Sequence, residues 1–394
     1  MEMFYTPEVS DKVYFVGVKD YNRRIFDALI PLPKGTSYNS YLVKGKRNAL
    51  IDTVNPGFEE ELLGRIEEVI GIGELDYVVM NHAEPDHAGA IPYIMKLCDA
   101  SLIATEKGAE MAKHYYNVPE ERVMKVKDGD RLDLGGKTLR FLEAPWLHWP
   151  ETMFTYLEEN RLLFPCDFFG SHTAYGLYDA SEEIIPFAKK YFGEIMMPFR
   201  EMGRRAMEKL KGLDIEIIAP SHGPIYREPE RIMEAYWKWT RGETKEKVLI
   251  LYVSMWGSTE AMIKSIATAL LSRGVEVNIY NIANSDLGEI AGDLVDSRGI
   301  VLGTPTVLGG MHPMAAYTVS LIRALRPPAR YGVALGSYNW SGGGVKQAVE
   351  ALKAARLEVV ASLEVRGPPT QKDQKKIDEI GELLSNRIKE RGDV

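Results

Sequence analysis

The chain has 394 residues, 45% hydrophobic and 26% charged, with a net charge of −8 and two cysteines. That length exceeds the size at which one hydrophobic core usually stops growing, so two domains are expected. The acidic balance, with no long Lys/Arg run and no apolar stretch of roughly 20 residues, argues against nucleic-acid and membrane partners. Two cysteines cannot make a disulfide framework and "MEMFYTPEVS" lacks the segments of a secretory signal, so a reducing cytoplasm is the expected location.

In chain order, "NALIDTV", "DYVVMN", "SLIAT", "TLRFLEA", "TMFTYLE", "RLLFPCD" and "EIIAPSH" read as short strands, and "GFEEELLGRIEEVIG" and "AGAIPYIMKLC" as helices packed outside them. The loop leaving "DYVVM" holds His82, Glu84, Asp86 and His87 within six positions. In an extended segment side chains alternate, so His82, Glu84 and Asp86 are expected to point the same way, and Pro85 disfavours helix at Glu84. His148 in "PWLHWP", Asp167 in "LFPCDFFG" and His222 in "APSHGP" each end an apolar run, where rigid strands can present them to a common site. Singly, each has an ordinary reading: His82 and His87 on a surface loop, Asp86 capping the next helix. Together, three carboxylates need neutralising charge, which metal ions supply where the loops lack lysine.

The polar stretch "TRGETKEK", residues 240–247, marks a boundary, giving domains 1–245 and 246–394. Beyond it "KVLILYV", "VEVNIYN", "RGIVLGT", "RYGVALGS" and "LEVVASL" alternate with amphipathic segments, the pattern of a doubly wound parallel sheet of about five strands. After the first of these comes "SMWGSTEAM": Ser254, Ser258 and Thr259 offer hydroxyls, Gly257 permits a tight turn, and a helix N-terminus follows, which together suit a phosphate monoester. Helix capping by Ser258 or Thr259 is the competing reading. The loop has neither the Gly-Lys-Ser/Thr ending of a nucleoside triphosphate loop nor the spaced glycines of a dinucleotide fingerprint. Flexible loops "GTPTVLGGMHP" and "GSYNWSGGG" follow later strands.

The set His82-x-Glu84-x-Asp86-His87 with His148, Asp167 and His222 resembles the metal site of the flavodiiron proteins, and the chain from Lys247 onward resembles flavodoxin, so the likeness spans nearly the whole sequence. It implies a metallo-β-lactamase-like αββα sandwich followed by a flavodoxin-like sheet. It implies two irons, one held by His82, Glu84 and His148, the other by Asp86, His87 and His222, with Asp167 bridging. Zinc hydrolases of the fold carry His where this chain has Glu84, and a hard oxygen ligand favours non-haem iron. FMN is implied at the carboxyl ends of the strands, bordered by Ser254, Met255, Trp256, Gly257, Ser258 and Thr259. From the second loop Thr304, Pro305, Thr306, Val307, Leu308 and Gly309 would approach it, and from the third Ser337, Tyr338, Asn339, Trp340, Gly342 and Gly343, with Tyr338 or Trp340 stacking on a ring face.

The resemblance further implies reduction of O2 to water, of NO to N2O, or both, with FMN re-reducing the irons. His172 matches a pocket histidine that assists proton delivery, with a structural role as its other reading, and Tyr191 resembles a pocket tyrosine, with an apolar helix face as its other reading. Many relatives have another pocket histidine where this chain has Asp27. Asp52, in "LIDT", is expected to support the site or to form a turn, and His114 and His312 to be structural. A head-to-tail homodimer or a homotetramer is implied, bringing one subunit's FMN beside the other's irons. The absence of paired C-x-x-C motifs calls for a separate electron donor, rubredoxin or a reduced deazaflavin. The alternative is a zinc hydrolase of the same fold fused to a flavodoxin-like electron-transfer or docking module.

Overall fold

The computed structural model describes residues 5–179 and 184–390. The chain divides into two compact units between Thr240 and Arg241. The polar stretch expected to separate them is short in structure, because the helix Pro229–Arg241 and the strand Lys245–Tyr252 take up most of it.

The first unit contains a seven-stranded sheet in the order Glu8–Ser10, Val13–Phe15, Tyr41–Val43, Asn48–Ile51, Leu75–Val79, Ser101–Ala104, Val123–Lys125. A five-stranded sheet follows, ordered Arg131–Asp133, Thr138–Glu143, Met153–Leu157, Leu162–Phe164, Ile217–Ile218. Strand alternation divides the apolar side chains between two cores. Leu42, Leu50, Val78 and Leu102 point to Leu62, Ile66, Ile91 and Ile94 of the outer helices Glu59–Glu67 and Ile91–Leu97. Their neighbours Val43, Ile51, Val79 and Ile103 pack with Leu139, Phe141, Met153 and Phe164 of the second sheet. On that sheet's far side, Phe154 stacks on Phe168, which meets Tyr236 of the helix Pro229–Arg241. Helix, sheet, sheet, helix is therefore the layering, with both sheets anchored on buried faces.

The second unit is a parallel sheet in the order Glu276–Asn281, Lys245–Tyr252, Ser297–Val307, Tyr331–Tyr338, Glu358–Arg366. A two-residue strand, Gly310–Met311, pairs antiparallel with the end of the third. Numbered within the unit the order is 2-1-3-4-5, the flavodoxin-like arrangement, with its switch point between the first and third strands. Val248, Ile250, Val301, Val333 and Leu335 bury one face against the helices Ser258–Leu271 and Gln371–Lys389. The loops at the carboxyl ends of the first, third and fourth strands thus flank one crevice.

Candidate metal centre and flavin cavity

Leaving the strand Leu75–Val79, the chain runs to Glu84 and then enters a short helical turn, Pro85–Ala88. Glu84 keeps extended backbone (φ −64°, ψ 142°), as the residue before proline prefers, while Pro85 itself starts the turn, where its missing N–H costs no intrahelical bond. The alternation expected of an extended segment therefore stops at Glu84. His82 and Glu84 join His148 and Asp167 in one cluster, whereas Asp86 and His87 turn to another with His222. The expectation that His82, Glu84 and Asp86 share one direction is corrected accordingly. Asp86 is not spent on capping, since neither Pro85–Ala88 nor Ile91–Leu97 has a side-chain cap bond.

The two clusters meet at Asp167. Its Oδ2 lies 3.5 Å from His82 Nε2 and 3.3 Å from His148 Nε2, and its Oδ1 lies 3.1 Å from His87 Nε2 and 3.4 Å from His222 Nε2. Glu84 Oε2 stands 3.2 Å from His82 Nε2 and 3.0 Å from His148 Nε2. On the other side Asp86 reaches His87 Nε2 (3.4 Å) and His222 Nε2 (3.2 Å) with separate oxygens. All seven residues that the sequence singled out as ligand candidates are thus brought together, Glu84 and His148 half-buried and the other five buried.

These groups lean heavily on one another. Burial works against charging His87 and His148, yet Asp86 and Asp167 beside the first, and Asp167 and Glu84 beside the second, raise both pKa values to about 10. Burial pushes the Glu84 and Asp167 carboxyls up, and the surrounding imidazoles more than reverse it, holding both below the ordinary carboxylate range. Even so, both oxygens of Asp86, both of Asp167 and both nitrogens of His87 are buried without an aligned hydrogen bond. Close, anionic and unsatisfied, such a set is costly unless cations enter it. Four imidazoles and three carboxylates, divided by one carboxylate with an oxygen facing each side, fit a pair of divalent metal ions.

Around the cluster, Asp52 accepts the Asn81 backbone N–H at 2.8 Å and its side-chain amide at 3.1 Å, steadying the residue before His82. Phe26 packs 5.0 Å from the His172 ring and 6.1 Å from that of His222. His172 and Tyr191 lie ring to ring at 4.8 Å, His172 5.0 Å and Tyr191 5.9 Å from His222. Tyr191 ends the helix Ile184–Tyr191, which passes into a π-helical turn, Phe192–Met196, a widening often found beside functional sites. Asp27, at φ +49°, senses the charges of Glu84 and Asp86, which add to burial in raising its pKa. His114 is exposed on the helix Glu106–Tyr116, and His312 caps the helix Pro313–Leu325 by accepting the Met314 N–H at 3.2 Å.

Several contacts escaped sequence reading. Glu151 lies against His82, Thr36 stands between His222 and His172, and the Ser37 carbonyl holds His222. Glu151 sits three positions past His148 in "HWPE", and that spacing is the only signal that could have found it.

In the second unit a cavity of about 430 Å³ opens at the switch point. Ser254, Met255, Trp256 and Ser258 line it from the first loop; Pro305, Thr306, Leu308 and Gly309 from the second; Ser337, Tyr338, Asn339 and Trp340 from the third. Ser341, Gly367 and Pro368, not anticipated, complete it. Gly257, Thr259, Thr304, Val307, Gly342 and Gly343 are not among the lining residues. Gly257 (φ +84°) precedes the helix Ser258–Leu271, whose start has no side-chain cap bond. Ser254 Oγ instead accepts from the Gly257 and Glu260 N–H groups, Thr259 bonds Ser337, and Thr304 accepts the His312 N–H. Gly343 (φ +127°) gives its N–H to Glu364 at 3.0 Å, and the same carboxylate accepts from Thr306 Oγ1 (2.9 Å) and the Val345 N–H (3.3 Å), tying two loops together. Trp256, Leu308 and Trp340 stand 90%, 96% and 82% exposed around the mouth, a large apolar display for water to cover.

Residues 36–223 match the model of the ODP family beta lactamases, and residues 250–380 match that of flavodoxin. The chain is 37% identical over 391 residues to a nitric oxide reductase of Moorella thermoacetica, covering 96% of this chain and 98% of that one. Its structure is similar to the rubredoxin oxygen:oxidoreductase of Desulfovibrio gigas (TM-score 0.95, 30% identity, 98% and 99% covered). It is also similar to the flavodiiron protein of Giardia intestinalis (TM-score 0.93, 28% identity, 98% of each chain covered). The likeness over both halves, with a flavodoxin sheet behind a lactamase-like sandwich, makes the chain a member of the flavodiiron protein family.

Proposed function

We propose that this chain reduces O2, NO or both at a pair of iron ions, with FMN as the internal electron source. The observation that carries the reading is Asp167, whose two oxygens face two separate histidine pairs, each pair completed by its own carboxylate. One iron would be held by His82, Glu84 and His148, the other by Asp86, His87 and His222, with Asp167 between. When bound, two ferrous ions and a reduced flavin together supply four electrons, enough to take O2 to two waters, whereas joining two NO into N2O and water needs two. The flavin phosphate would sit at the N-terminus of the helix Ser258–Leu271, where backbone N–H groups and the helix dipole favour an anion. Trp256 and Trp340 would cover the ring system.

His172 and Tyr191 would manage protons. His222 Nδ1 donates to the Ser37 carbonyl at 2.6 Å, which leaves its Nε2 for metal. The Thr36 hydroxyl, 3.0 Å from His172 Nδ1, can donate to that nitrogen, an arrangement that would put the His172 proton on Nε2, which has no hydrogen-bond partner among the described residues. Tyr191, whose pKa burial raises, keeps its phenol proton for hydrogen bonding. Electrons would arrive from a separate donor, rubredoxin or a reduced deazaflavin. A head-to-tail homodimer, or a tetramer made of two, would bring one subunit's flavin beside the other's irons.

The test is anaerobic stopped-flow oxidation of the fully reduced protein, separately by O2 and by NO, after iron and FMN have been quantified. Rapid reoxidation by either gas with two irons and one FMN per chain is expected. Zinc in place of iron, with thioester hydrolysis and no gas consumption, would select the hydrolase instead.

A further inference from the structure

The two halves of the metal cluster differ in what backs their histidines. His82 Nδ1 lies 2.7 Å from Glu151 Oε1, and the same oxygen accepts the Ala83 N–H at 2.8 Å. Glu151 is buried, its other oxygen has no hydrogen-bond partner, and its backbone carbonyl is pinned by Thr105 Oγ1 at 2.9 Å. In the other half His222 Nδ1 donates to a neutral backbone carbonyl, that of Ser37, and His87 Nδ1 has no partner.

A carboxylate that takes the Nδ1 proton bond fixes the ring's tautomer and orientation, aims the Nε2 lone pair at the metal and strengthens it as a donor. Counting charges, the half built on His82, Glu84 and His148 has two carboxylates within reach, Glu84 directly and Glu151 through an imidazole. The half built on His87 and His222 has Asp86 directly and no carboxylate bonded to an Nδ1, Asp52 acting on His87 only through space, and Asp167 is shared. A cation is held harder where the uncompensated negative charge is greater and the donors are pre-oriented.

We propose that Glu151 is a positioning residue that sets His82 Nε2 toward its metal and makes the His82/Glu84/His148 half the tighter of the two iron positions. This rests on the diiron reading above.

Release of iron from the anaerobically reduced, full-length holoprotein to a ferrous chelator tests it, with FMN absorbance as the control for fold. In Glu151→Gln, which keeps the side-chain shape and loses the charge, one iron per chain should leave about 10- to 100-fold faster while the other keeps its rate. Glu151→Asp retains the charge and should fall between the two; it carries the test if the Gln variant does not accumulate. The two ferrous Mössbauer doublets of the wild type should differ and draw together in Glu151→Gln. Unchanged release of both irons would overturn the proposal, and so would equal acceleration of both, because general loosening has no preference for one half. Wild-type protein purified without an iron pair would count against the proposed function before any variant is made.

Discussion

The metal cluster and the flavin cavity are built by opposite means. In the first unit, side chains from four separated segments converge, five of seven buried, and two of the histidines are held from behind, His82 by Glu151 and His222 by the Ser37 carbonyl. In the second, the cavity is lined by loop residues, among them several hydroxyls and four exposed apolar side chains, Met255, Trp256, Leu308 and Trp340, and one carboxylate, Glu364, ties two of the loops. The first arrangement concentrates function in few atoms, and the second spreads it. Single substitutions should therefore be severe in one unit and graded in the other.

Asp167→Ala should produce the largest effect. It removes both oxygens that face the paired histidines and leaves four imidazoles around a hole. Turnover should fall by more than the roughly 10- to 100-fold that loss of an outer partner causes. Iron should drop below two per chain while FMN absorbance is kept. Metal analysis and the visible spectrum check this together, and retained reductase activity would mean that the bridge lies elsewhere.

How much of this was legible follows from the same contrast. Histidine and carboxylate at the ends of apolar runs are rare enough that His82, Glu84, Asp86, His87, His148, Asp167 and His222 could be picked from the sequence before any geometry was known. Their division into two groups comes from the resemblance and not from periodicity, because period-two alternation ends at Pro85, where the backbone starts a helical turn and takes Asp86 and His87 to a different cluster from His82. Glu151 looks like any other glutamate in sequence, and only burial against an imidazole gives it meaning. In the flavin unit the three loops and their order were readable, since strand periodicity fixes where they emerge. Individual residues were less so: a loop that binds through backbone leaves side-chain identity weakly constrained. Thus Gly342 and Gly343, which the resemblance puts beside the flavin, are packed on Glu364, where a Cβ at Gly342 would come within 2.4 Å of the carboxylate.

Glu364→Ala should sharpen the contrast at an intermediate level. The carboxylate takes bonds from Thr306, Gly343 and Val345, and hydrogen bonds to a charged acceptor are worth about 1.5–3 kcal/mol when buried, less here because Glu364 is partly exposed. FMN binding should weaken about 10-fold through loss of loop order, with iron content unchanged. Fluorescence titration of the flavin-free chain with FMN measures it, and a wild-type dissociation constant would show that the loops hold their shape unaided.

Trp340→Ala should do less. An aromatic face adds about 0.5–1.5 kcal/mol beyond area burial, so a loss of about 2- to 10-fold in FMN affinity is expected, again without loss of iron. Should Trp256→Ala match it and the double variant add, the two rings act independently, as a distributed site requires.

The smallest effect concerns charge kept away from the cavity. Lys247 is the third residue of the strand Lys245–Tyr252, its side chain buried, Nζ paired with Asp296 and 3.2 Å from Asp293 Oδ1, while Asn278 and Tyr280 donate to the other Asp293 oxygen. Burial disfavours the ammonium, but Asp296 and then Asp293 outweigh it and raise the Lys247 pKa above its ordinary value. A raised pKa means that the folded state binds the proton more tightly than the unfolded chain. The pair's contribution is therefore complete below the unfolded lysine value and declines as alkaline pH passes through the folded one. The unfolding temperature of the flavin-binding unit should fall across that alkaline window while FMN stays bound in the folded fraction. In Lys247→Arg, which remains protonated there, the fall should be shallower even if the larger head group lowers stability throughout. Equal slopes would place the alkaline loss on other groups.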